Sequence, residues 1–253
     1  MSYGYSEYLW QYVLPDGNPF CHWGGKNISR EVLDHLELKT GDRLCDICCG
    51  EGGTLSLINR NDIEVYGIDI SKTAIEKARV EFENKDSFHF VQSDVRNMPF
   101  HDCLFNKVFA QDPDVFLYPD KMDIMREISR VMRSKGIFVL QTYCASSYLG
   151  KTEREITAEI LYRMGYPYTE VLFDEQIDLI LKMSGFVVKC SKSLHSVYHQ
   201  DNLAMIRNLE INWARMLEAN EVQANNMRKL LYWEKYLFSK KAWTGILRIV
   251  KKR

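Results

Sequence analysis

Apolar and polar positions follow two different periods along this chain. Short, mostly apolar runs at 43–45, 63–69, 88–95, 105–112 and 137–143 are bounded by turn residues, which is typical of buried strands. Helical spacing of apolar residues occurs between them, at 28–36, 72–81 and 122–132. Strands that alternate with helices predict an α/β fold with a doubly wound, mostly parallel sheet.

The alternation is interrupted twice after residue 143. The segment 144–172 is rich in tyrosine, and a long helical stretch is predicted at 202–238. A helix at 173–183 and a strand at 186–191 lie between the two segments, and a last strand is predicted at 243–250. We therefore expect one domain at 27–253 in which 144–172 and 202–238 form a helical cap. An aromatic arm at 1–26 would precede it, either packed on the domain or folded over a ligand as a lid.

A glycine-rich turn, Asp46-Ile-Cys-Cys-Gly-Glu-Gly-Gly53, follows the first strand. Gly50 and Gly52 would let a ligand approach the backbone, and a helix predicted from Thr54 would present its N–H groups there. The second strand ends in Asp69, and an acid about 20 residues after such a turn suits the hydroxyls of a ribose. The pattern predicts an adenosine-containing cofactor, although it lacks the Gly-x-Gly-x-x-Gly spacing of dinucleotide folds.

The motifs appear in a characteristic order: Asp46-x-x-x-Gly50-x-Gly52, Gly67-Ile-Asp69, Ser93-Asp94-Val95, Gln111-Asp112 and Met132-Arg-Ser-Lys-Gly136. This order resembles that of the class I S-adenosylmethionine (SAM) dependent methyltransferases, over about residues 20–143. The segment His22-Trp-Gly-Gly25 is similar to the phosphoethanolamine and sarcosine/dimethylglycine N-methyltransferases. The resemblance implies a Rossmann-like sheet of seven strands with the last one antiparallel, SAM as cofactor and S-adenosylhomocysteine as product.

The resemblance also implies roles for individual residues. Asp69 would hold the ribose, Asp94 and Val95 the adenine, and Gln111 and Asp112 would lie near the methionine end. The complete set of cofactor residues expected is Asp46, Cys48, Gly50, Gly52, Asp69, Ile70, Asp94, Val95, Gln111 and Trp23. Cys48 departs from the family, which usually has glycine there.

Candidates for the acceptor side and for catalysis are fewer. The catalytic candidates are Asp112, which could face a cation, and Tyr12 of the arm. Substrate residues are expected at Arg163, Tyr166, Tyr168 and Phe116. Phe116 stands near the place where the phosphoethanolamine enzymes have a histidine. His195 and His199 are interpreted as surface histidines.

Composition excludes several classes of function. The formal net charge is −1, so no basic excess indicates a nucleic-acid partner. No run of 18 apolar residues and no leader is present, which predicts a cytoplasmic protein that does not enter a membrane. The seven cysteines are expected as reduced thiols. Cys45-x-x-Cys48-Cys49 lacks a second cysteine pair or a nearby histidine, so no metal is expected.

Transfer of a methyl group from SAM to a small molecule is the leading hypothesis, with an amine nitrogen as the preferred acceptor. The reaction is an in-line displacement, for which positioning and exclusion of water suffice, so no catalytic triad is expected. O- or C-methylation of a metabolite and a non-catalytic SAM-binding partner subunit are the alternatives. A nucleic-acid methyltransferase is disfavoured by the charge and by Gln111-Asp-Pro-Asp114. We expect a monomer or a homodimer.

Overall fold

The computed structural model describes residues 13, 20, 22–113, 120–146, 148–166 and 170–253. The strands are β1 (Arg43–Ile47), β2 (Glu64–Asp69), β3 (Phe88–Gln92), β4 (Phe105–Gln111), β5 (Met132–Ala145), β6 (Phe186–Ser193) and β7 (Trp243–Lys252). The helices are α1 (Gly25–Leu36), α2 (Lys72–Glu81), α3 (Lys121–Val131), α4 (Lys151–Arg163), α5 (Asp174–Met183), α6 (His195–Ile211) and α7 (Trp213–Ser239). None of the helices in these ranges is both long enough and apolar enough to cross a membrane.

The seven strands form one sheet in the order β3-β2-β1-β4-β5-β7-β6. The pairs β1–β2, β1–β4, β2–β3 and β4–β5 are parallel. At the other edge, the N–H of Leu194 donates to the carbonyl of Gly245 and the N–H of Arg253 donates to that of Gly185. Residue numbers therefore run in opposite directions along β6 and β7, so these strands are antiparallel. The predicted fold class is confirmed.

The strand order places a topological switch point between β1 and β4. The chain runs outward from β1 to β3 on one side and from β4 towards the far edge on the other. In open α/β sheets, ligands bind outside the carboxyl ends of the strands at such a point. The glycine turn after β1 and the polar pair at the end of β4 both lie there.

Two of the predicted helices differ from those observed. The helix expected from Thr54 is only a three-residue 3₁₀ turn, Leu55–Leu57, after which Ile58 is extended. Arg60 follows it in the loop, where its guanidinium donates to Asp62 and to the carbonyl of Leu38. The prediction that a helix dipole supports the glycine turn is therefore wrong.

The long helical stretch expected at 202–238 is two helices, α6 and α7. The backbone of α7 is non-helical at Asn220, with φ −165° and ψ 99°. The side chain of Asn220 accepts a hydrogen bond from the N–H of Gln223 at 3.0 Å, which is how an N-cap residue begins a new helical segment. Asparagine therefore interrupts the stretch twice, at Asn212 between α6 and α7 and at Asn220 inside α7.

The described residues fall into two compact units. The described residues of the sheet unit fall within 20–142, Glu175–Lys192 and Ile246–Arg253, and those of the helical unit are Val13 and residues within Tyr143–Asp174 and Ser193–Gly245. The core of the helical unit includes Val13 together with apolar residues of α6 and α7: Ile206, Leu209, Met216, Ala224, Met227 and Leu231. The predicted cap segments 144–172 and 202–238 lie in this unit. The predicted division into an arm and one domain stays a prediction.

A buried lysine fixes α1 on the sheet. The ammonium of Lys107 on β4 donates to the main-chain carbonyls of Leu36 and Glu37, at the C-terminal end of α1. A cation at this end of a helix satisfies carbonyls that have no partner within the helix. Burial lowers the pKa of Lys107, and Asp42 opposes that shift. The anchored helix begins beside the switch point, at Gly25.

Candidate functional site

The glycine turn and the tip of β2 are joined through Asp69. Its Oδ2 accepts a hydrogen bond from the N–H of Gly50 at 2.9 Å, and its Oδ1 accepts one from the N–H of Ser71 at 2.8 Å. Ser71 also caps α2, because its hydroxyl accepts from the N–H of Ala74 at 3.2 Å. The acid predicted to hold a ribose is therefore fixed against the turn predicted to meet the ligand.

The two glycines of the turn have different surroundings. Gly50 has φ +54°, and a Cβ built on it would meet nothing within 4 Å, so open space lies over this peptide. Gly52 has φ +85°, and a Cβ there would lie 2.8 Å from the ring of Phe82. Gly50 thus leaves room for a ligand, whereas Gly52 accommodates the aromatic ring that follows α2.

Cys48 has φ +61°, in the left-handed region that favours glycine. This is the backbone conformation that the family's usual glycine would supply without strain. The side chain of Cys48 is partly buried. The departure from the family therefore alters a side chain but keeps the shape of the turn.

Asp46, at the end of β1, is an almost buried carboxyl with 4% exposure. Burial raises its pKa well above the ordinary value, and the negative charge of Asp69 raises it further. A cation placed beside Asp46 would offset both effects. A ligand with a positive group near the glycine turn would therefore match the electrostatics of this site.

The neighbouring cysteines are apolar packing residues in character. Burial raises the pKa of the thiols of Cys45 and Cys49, so both are neutral at ordinary pH. Outside the positions that the structure leaves undescribed, all cysteines are free thiols, and no group of three or more His, Cys, Asp or Glu residues is placed to hold a metal.

The residues predicted for adenine lie at the ends of β2 and β3. Ile70 is 54% exposed and Val95 is buried. Both oxygens of Asp94 accept from the guanidinium of Arg96, at 3.0 Å from its Nε, and this pairing lowers the pKa of Asp94. Arg96 also approaches Asp120, at 3.3 Å. An adenine amino group would have to share Asp94 with this arginine.

A polar network crosses the switch point between the glycine turn and β4. The hydroxyl of Thr54 donates to Gln111 Oε1 at 2.7 Å, and Gln111 Nε2 donates to Gln141 Oε1 at 2.7 Å. The hydroxyls of Thr54 and Ser29 are 2.9 Å apart. Gln111 was predicted as a site residue, but Thr54, Ser29 and Gln141 were not. Gln141 was recognisable only as a polar residue inside an otherwise apolar strand.

His22 lies at the end of this network that contains Ser29. Its Nε2 lies 2.9 Å from Ser29 Oγ, and its Nδ1 lies 3.1 Å from the carbonyl of Trp23. Burial lowers the pKa of His22 to about 4, and the hydrogen bond to Trp23 opposes the shift only weakly. His22 is therefore a neutral imidazole at neutral pH and adds no charge to the site.

Asp112, directly after β4, is held by the segment that precedes α1. Its Oδ2 accepts from the N–H of Trp23 at 2.9 Å and from Gln141 Nε2 at 3.2 Å. Its backbone is left-handed, with φ +44°, a conformation that aspartate tolerates better than most residues. Trp23 and Asp112, predicted separately, are thus in contact.

The candidate substrate residues belong to the helical unit or lie outside the described residues. The guanidinium of Arg163 donates to Glu159 at 2.8 Å and to Asn226 at 2.7 Å, and it stacks over the ring of Trp233 at 5.5 Å. The N–H of Tyr166 donates to the carbonyl of Leu161. Tyr12, Phe116 and Tyr168 lie outside the described residues.

The two histidines that were interpreted as surface residues belong to α6. Their rings are 6.1 Å apart, and His199 also stacks on Phe238. His195 Nδ1 is buried and has no hydrogen-bond partner among the described residues. Burial lowers the pKa of His195.

Comparison with known proteins assigns the family. A family model described as a methyltransferase domain matches residues 38–171, more than half of the chain. The chain belongs to this family of methyltransferase domains, within the class I SAM-dependent methyltransferases, and its cofactor is SAM.

Three relatives illustrate the similarity. Phosphoethanolamine N-methyltransferase from Triticum aestivum is 28% identical over 172 residues, which is 67% of this chain and 33% of that protein. A sterol 24-C-methyltransferase from Gibberella zeae is 23% identical over 244 residues, 90% of this chain and 61% of that protein. The structure of phosphoethanolamine N-methyltransferase 2 from Haemonchus contortus, in complex with phosphomonomethylethanolamine and S-adenosylhomocysteine, matches with a TM-score of 0.78 at 19% identity, covering 98% of this chain and 56% of that one. The chain spans about a third of the length of the plant relatives.

The residues at the switch point fit SAM. The space over Gly50 can admit a ligand against the backbone, and the nearly buried carboxyl of Asp46 suits a cationic group beside it. Asp69 presents a carboxylate, fixed by two N–H groups, at the tip of the next strand. These are the three features that a ligand with an amino acid part and a ribose needs.

Proposed function

We propose that this chain transfers the methyl group of SAM to a small-molecule acceptor, with an amine nitrogen preferred, and leaves S-adenosylhomocysteine. One observation carries the proposal: the carboxylates of Asp46, Asp69 and Asp112 stand at the ends of three adjacent strands, β1, β2 and β4, around an open glycine turn. Acidic groups clustered in this way suit a cationic cofactor and an amine.

Each part of the cofactor would have its own residues. The turn at Cys48 and Gly50 would face the methionine part, with Asp46 opposite the ammonium group. Asp69 would accept hydrogen bonds from the ribose hydroxyls. Ile70, Asp94 and Val95 would bind the adenine, and Gly52 would support the turn by its packing against Phe82.

When bound, SAM supplies an electrophilic methyl group on a sulfonium. The chain has to hold the acceptor in line with that group and exclude water. Asp112 would face the charge of the acceptor, and two N–H donors hold its Oδ2. An amine that attacks as a neutral nucleophile must lose a proton in the course of the reaction, and the carboxylate of Asp112 would receive it.

Nitrogen is preferred over oxygen and carbon for two reasons. A carboxylate beside the acceptor stabilises the positive charge that develops on an amine nitrogen as it accepts the methyl group. The wheat and Haemonchus relatives are named for methylation of phosphoethanolamine nitrogen. The sterol 24-C-methyltransferase relative is the observation that favours a carbon acceptor instead. Cys48 in the cofactor turn is the observation behind a non-catalytic SAM-binding subunit.

The acceptor residues remain proposals. Trp23 and Gln111, which lie within the network around Asp112, are proposed for the cofactor, Tyr12 is proposed for catalysis and Phe116 is proposed for the acceptor. Arg163, with Tyr166 and Tyr168, is retained as the candidate for an anionic group of the acceptor. Its guanidinium would have to give up Glu159 or Asn226 to serve in that way. The state of assembly proposed is a monomer or a homodimer.

The experiment is to incubate the protein with SAM and a panel of amines, alcohols and alkenes, and to identify products by mass spectrometry. We expect an amine that gains one methyl group, together with an equal amount of S-adenosylhomocysteine. Asp112→Asn should reduce turnover much more than it weakens S-adenosylhomocysteine binding. Methylation of an alcohol or an alkene alone would reject the nitrogen preference, and cofactor binding without any methylated product would favour the binding subunit.

A further inference from the structure

Gln141 connects three segments that are far apart in the sequence. It lies on β5, next to Gln111 of β4, and its side chain is fully buried. Its Oε1 accepts from Gln111 Nε2 at 2.7 Å, while its Nε2 donates to the carbonyl of Trp23 at 2.6 Å and to Asp112 Oδ2 at 3.2 Å. A buried amide needs hydrogen-bond partners. Here the amide of Gln141 bonds to both Trp23 and Asp112, which also bond to each other.

The other contact is the one between Trp23 and Asp112. The N–H of Trp23 donates to Asp112 Oδ2 at 2.9 Å, and the N–H of Asp112 donates to the main-chain carbonyl of Gln141 at 2.8 Å. Both main-chain polar groups of Trp23 are therefore held by this cluster. We call Gln141, Trp23 and Asp112 the clasp.

We propose that Gln141 is a positioning residue, which sets the carboxylate of Asp112 and the main chain of Trp23 in one arrangement. The inference rests on the proposed function of Asp112 as the residue that faces the acceptor. It adds that the orientation of this carboxylate and the position of the segment before α1 depend on each other, because the amide of Gln141 bonds to both. Loss of Gln141 should free both together.

The choice of glutamine has a physical reason. Glutamate has nearly the same shape, but an ionised carboxylate at the position of Nε2 would lie about 3 Å from Asp112 Oδ2. It would repel Asp112 and the carbonyl of Trp23. Among the described residues, the titratable side chains hydrogen-bonded within this network are Asp112 and His22, and His22 stays neutral above pH 6 because its pKa is about 4. A pH effect introduced by glutamate between pH 6 and 9 would therefore report on its pair with Asp112.

The test compares Gln141→Met, which keeps the length without donors, and Gln141→Glu with the wild type. Gln176→Glu on the exposed face of α5 adds the same charge elsewhere in the sheet unit and serves as the matched control. Amide hydrogen exchange at Trp23, corrected for intrinsic rates, is measured from pH 6 to 9, together with S-adenosylhomocysteine binding by calorimetry. Both readouts are independent of turnover.

In Gln141→Met we expect exchange at Trp23 to be about tenfold faster, the size of one lost hydrogen bond to a charged group. In Gln141→Glu we expect protection at pH 6, where the glutamate can share a proton with Asp112, and its loss towards pH 9. The control should match the wild type at every pH.

Unchanged protection at Trp23 in Gln141→Met, with a lowered melting temperature alone, would overturn the proposal and leave Gln141 as a buried polar residue of the core. If neither variant of Gln141 folds, Asp112→Ala provides the test from the other side. It removes the oxygen that accepts from both the N–H of Trp23 and Gln141 Nε2, so exchange at Trp23 should again accelerate. Faster exchange at Trp23 in Gln141→Met, together with a wild-type protein that methylates no acceptor of the panel, would support the clasp and reject the proposed function, which separates the two failures.

Discussion

Replacing Asp69 with alanine removes the residue that joins the glycine turn to the tip of β2. Each of its oxygens already accepts one main-chain hydrogen bond, from Gly50 and from Ser71. A carboxylate oxygen can accept more than one hydrogen bond, so the ribose hydroxyls can use the remaining positions. The substitution therefore affects both the cofactor and the turn that supports it.

The expected loss follows from these bonds. A hydrogen bond to a charged group contributes roughly 1.5–3 kcal/mol, and each 1.4 kcal/mol corresponds to a factor of ten in affinity. Loss of one net ribose contact therefore predicts binding weaker by about 10- to 100-fold. The N–H groups of Gly50 and Ser71 also lose their acceptors, so we expect stability to fall by about 1 kcal/mol or more.

The assay is calorimetric titration with S-adenosylhomocysteine at constant pH and salt, with a melting curve for each variant. Asp69→Asn keeps the shape and removes the charge, so its affinity should lie between those of the wild type and Asp69→Ala. Asp62→Ala removes a carboxylate from the loop before β2, at the opposite end of the strand, and should leave the dissociation constant unchanged. A folded Asp69→Ala protein that binds within twofold of the wild type would refute this account of the ribose site.

Three further predictions concern groups in unusual states. Burial raises the pKa of Glu234 to about 8, above its ordinary value of 4.5, so folding retains a proton that the unfolded chain releases between these values. Stability of the helical unit should fall by about 1.4 kcal/mol per pH unit over that window, and Glu234→Gln should remove the slope in urea unfolding; equal slopes in both proteins would contradict this. Because burial raises the pKa of Asp46, SAM binding should release a proton and strengthen as pH rises. Calorimetry in two buffers of different ionisation enthalpy measures that proton with Asp46→Asn as control, and a buffer-independent enthalpy in the wild type would count against it. Cys48→Gly should stabilise the protein by up to about 1 kcal/mol and keep or tighten cofactor affinity, since φ at this position is +61°. Loss of turnover with cofactor affinity intact would instead assign the thiol a chemical role.

Much of the cofactor side of the site could be predicted from local patterns. Asp46 and Asp69 lie within the last two residues of β1 and β2, and Gly50 follows β1. Polar residues at the end of a parallel strand lie at the carboxyl edge of the sheet. Gln111 ends β4 in the same way, and Asp112 follows it. The structure adds that Asp69 accepts a hydrogen bond from the N–H of Gly50.

Predictions from the local sequence pattern were incomplete or wrong where packing between distant segments decides the structure. The sequence pattern did not predict that the ring of Phe82 occupies the space where a Cβ of Gly52 would be. The helix expected after Thr54 is a single 3₁₀ turn, and Arg60 in the loop that follows it donates to the carbonyl of Leu38. Apolar spacing alone cannot distinguish a 3₁₀ turn from the first turn of an α-helix, since both can bury the same residues.

The sequence by itself determined the period of the elements, the parallel α/β class and the polar strand ends, because each depends on neighbours within a few residues. Only the tertiary structure decided that Gln141 contacts Trp23, 118 residues away, and that both hold Asp112. That contact requires β5 to lie beside β4 and the segment before α1 to lie over both strand ends. Such an arrangement is set by the order of strands in the sheet, and a single sequence carries no local signal for it.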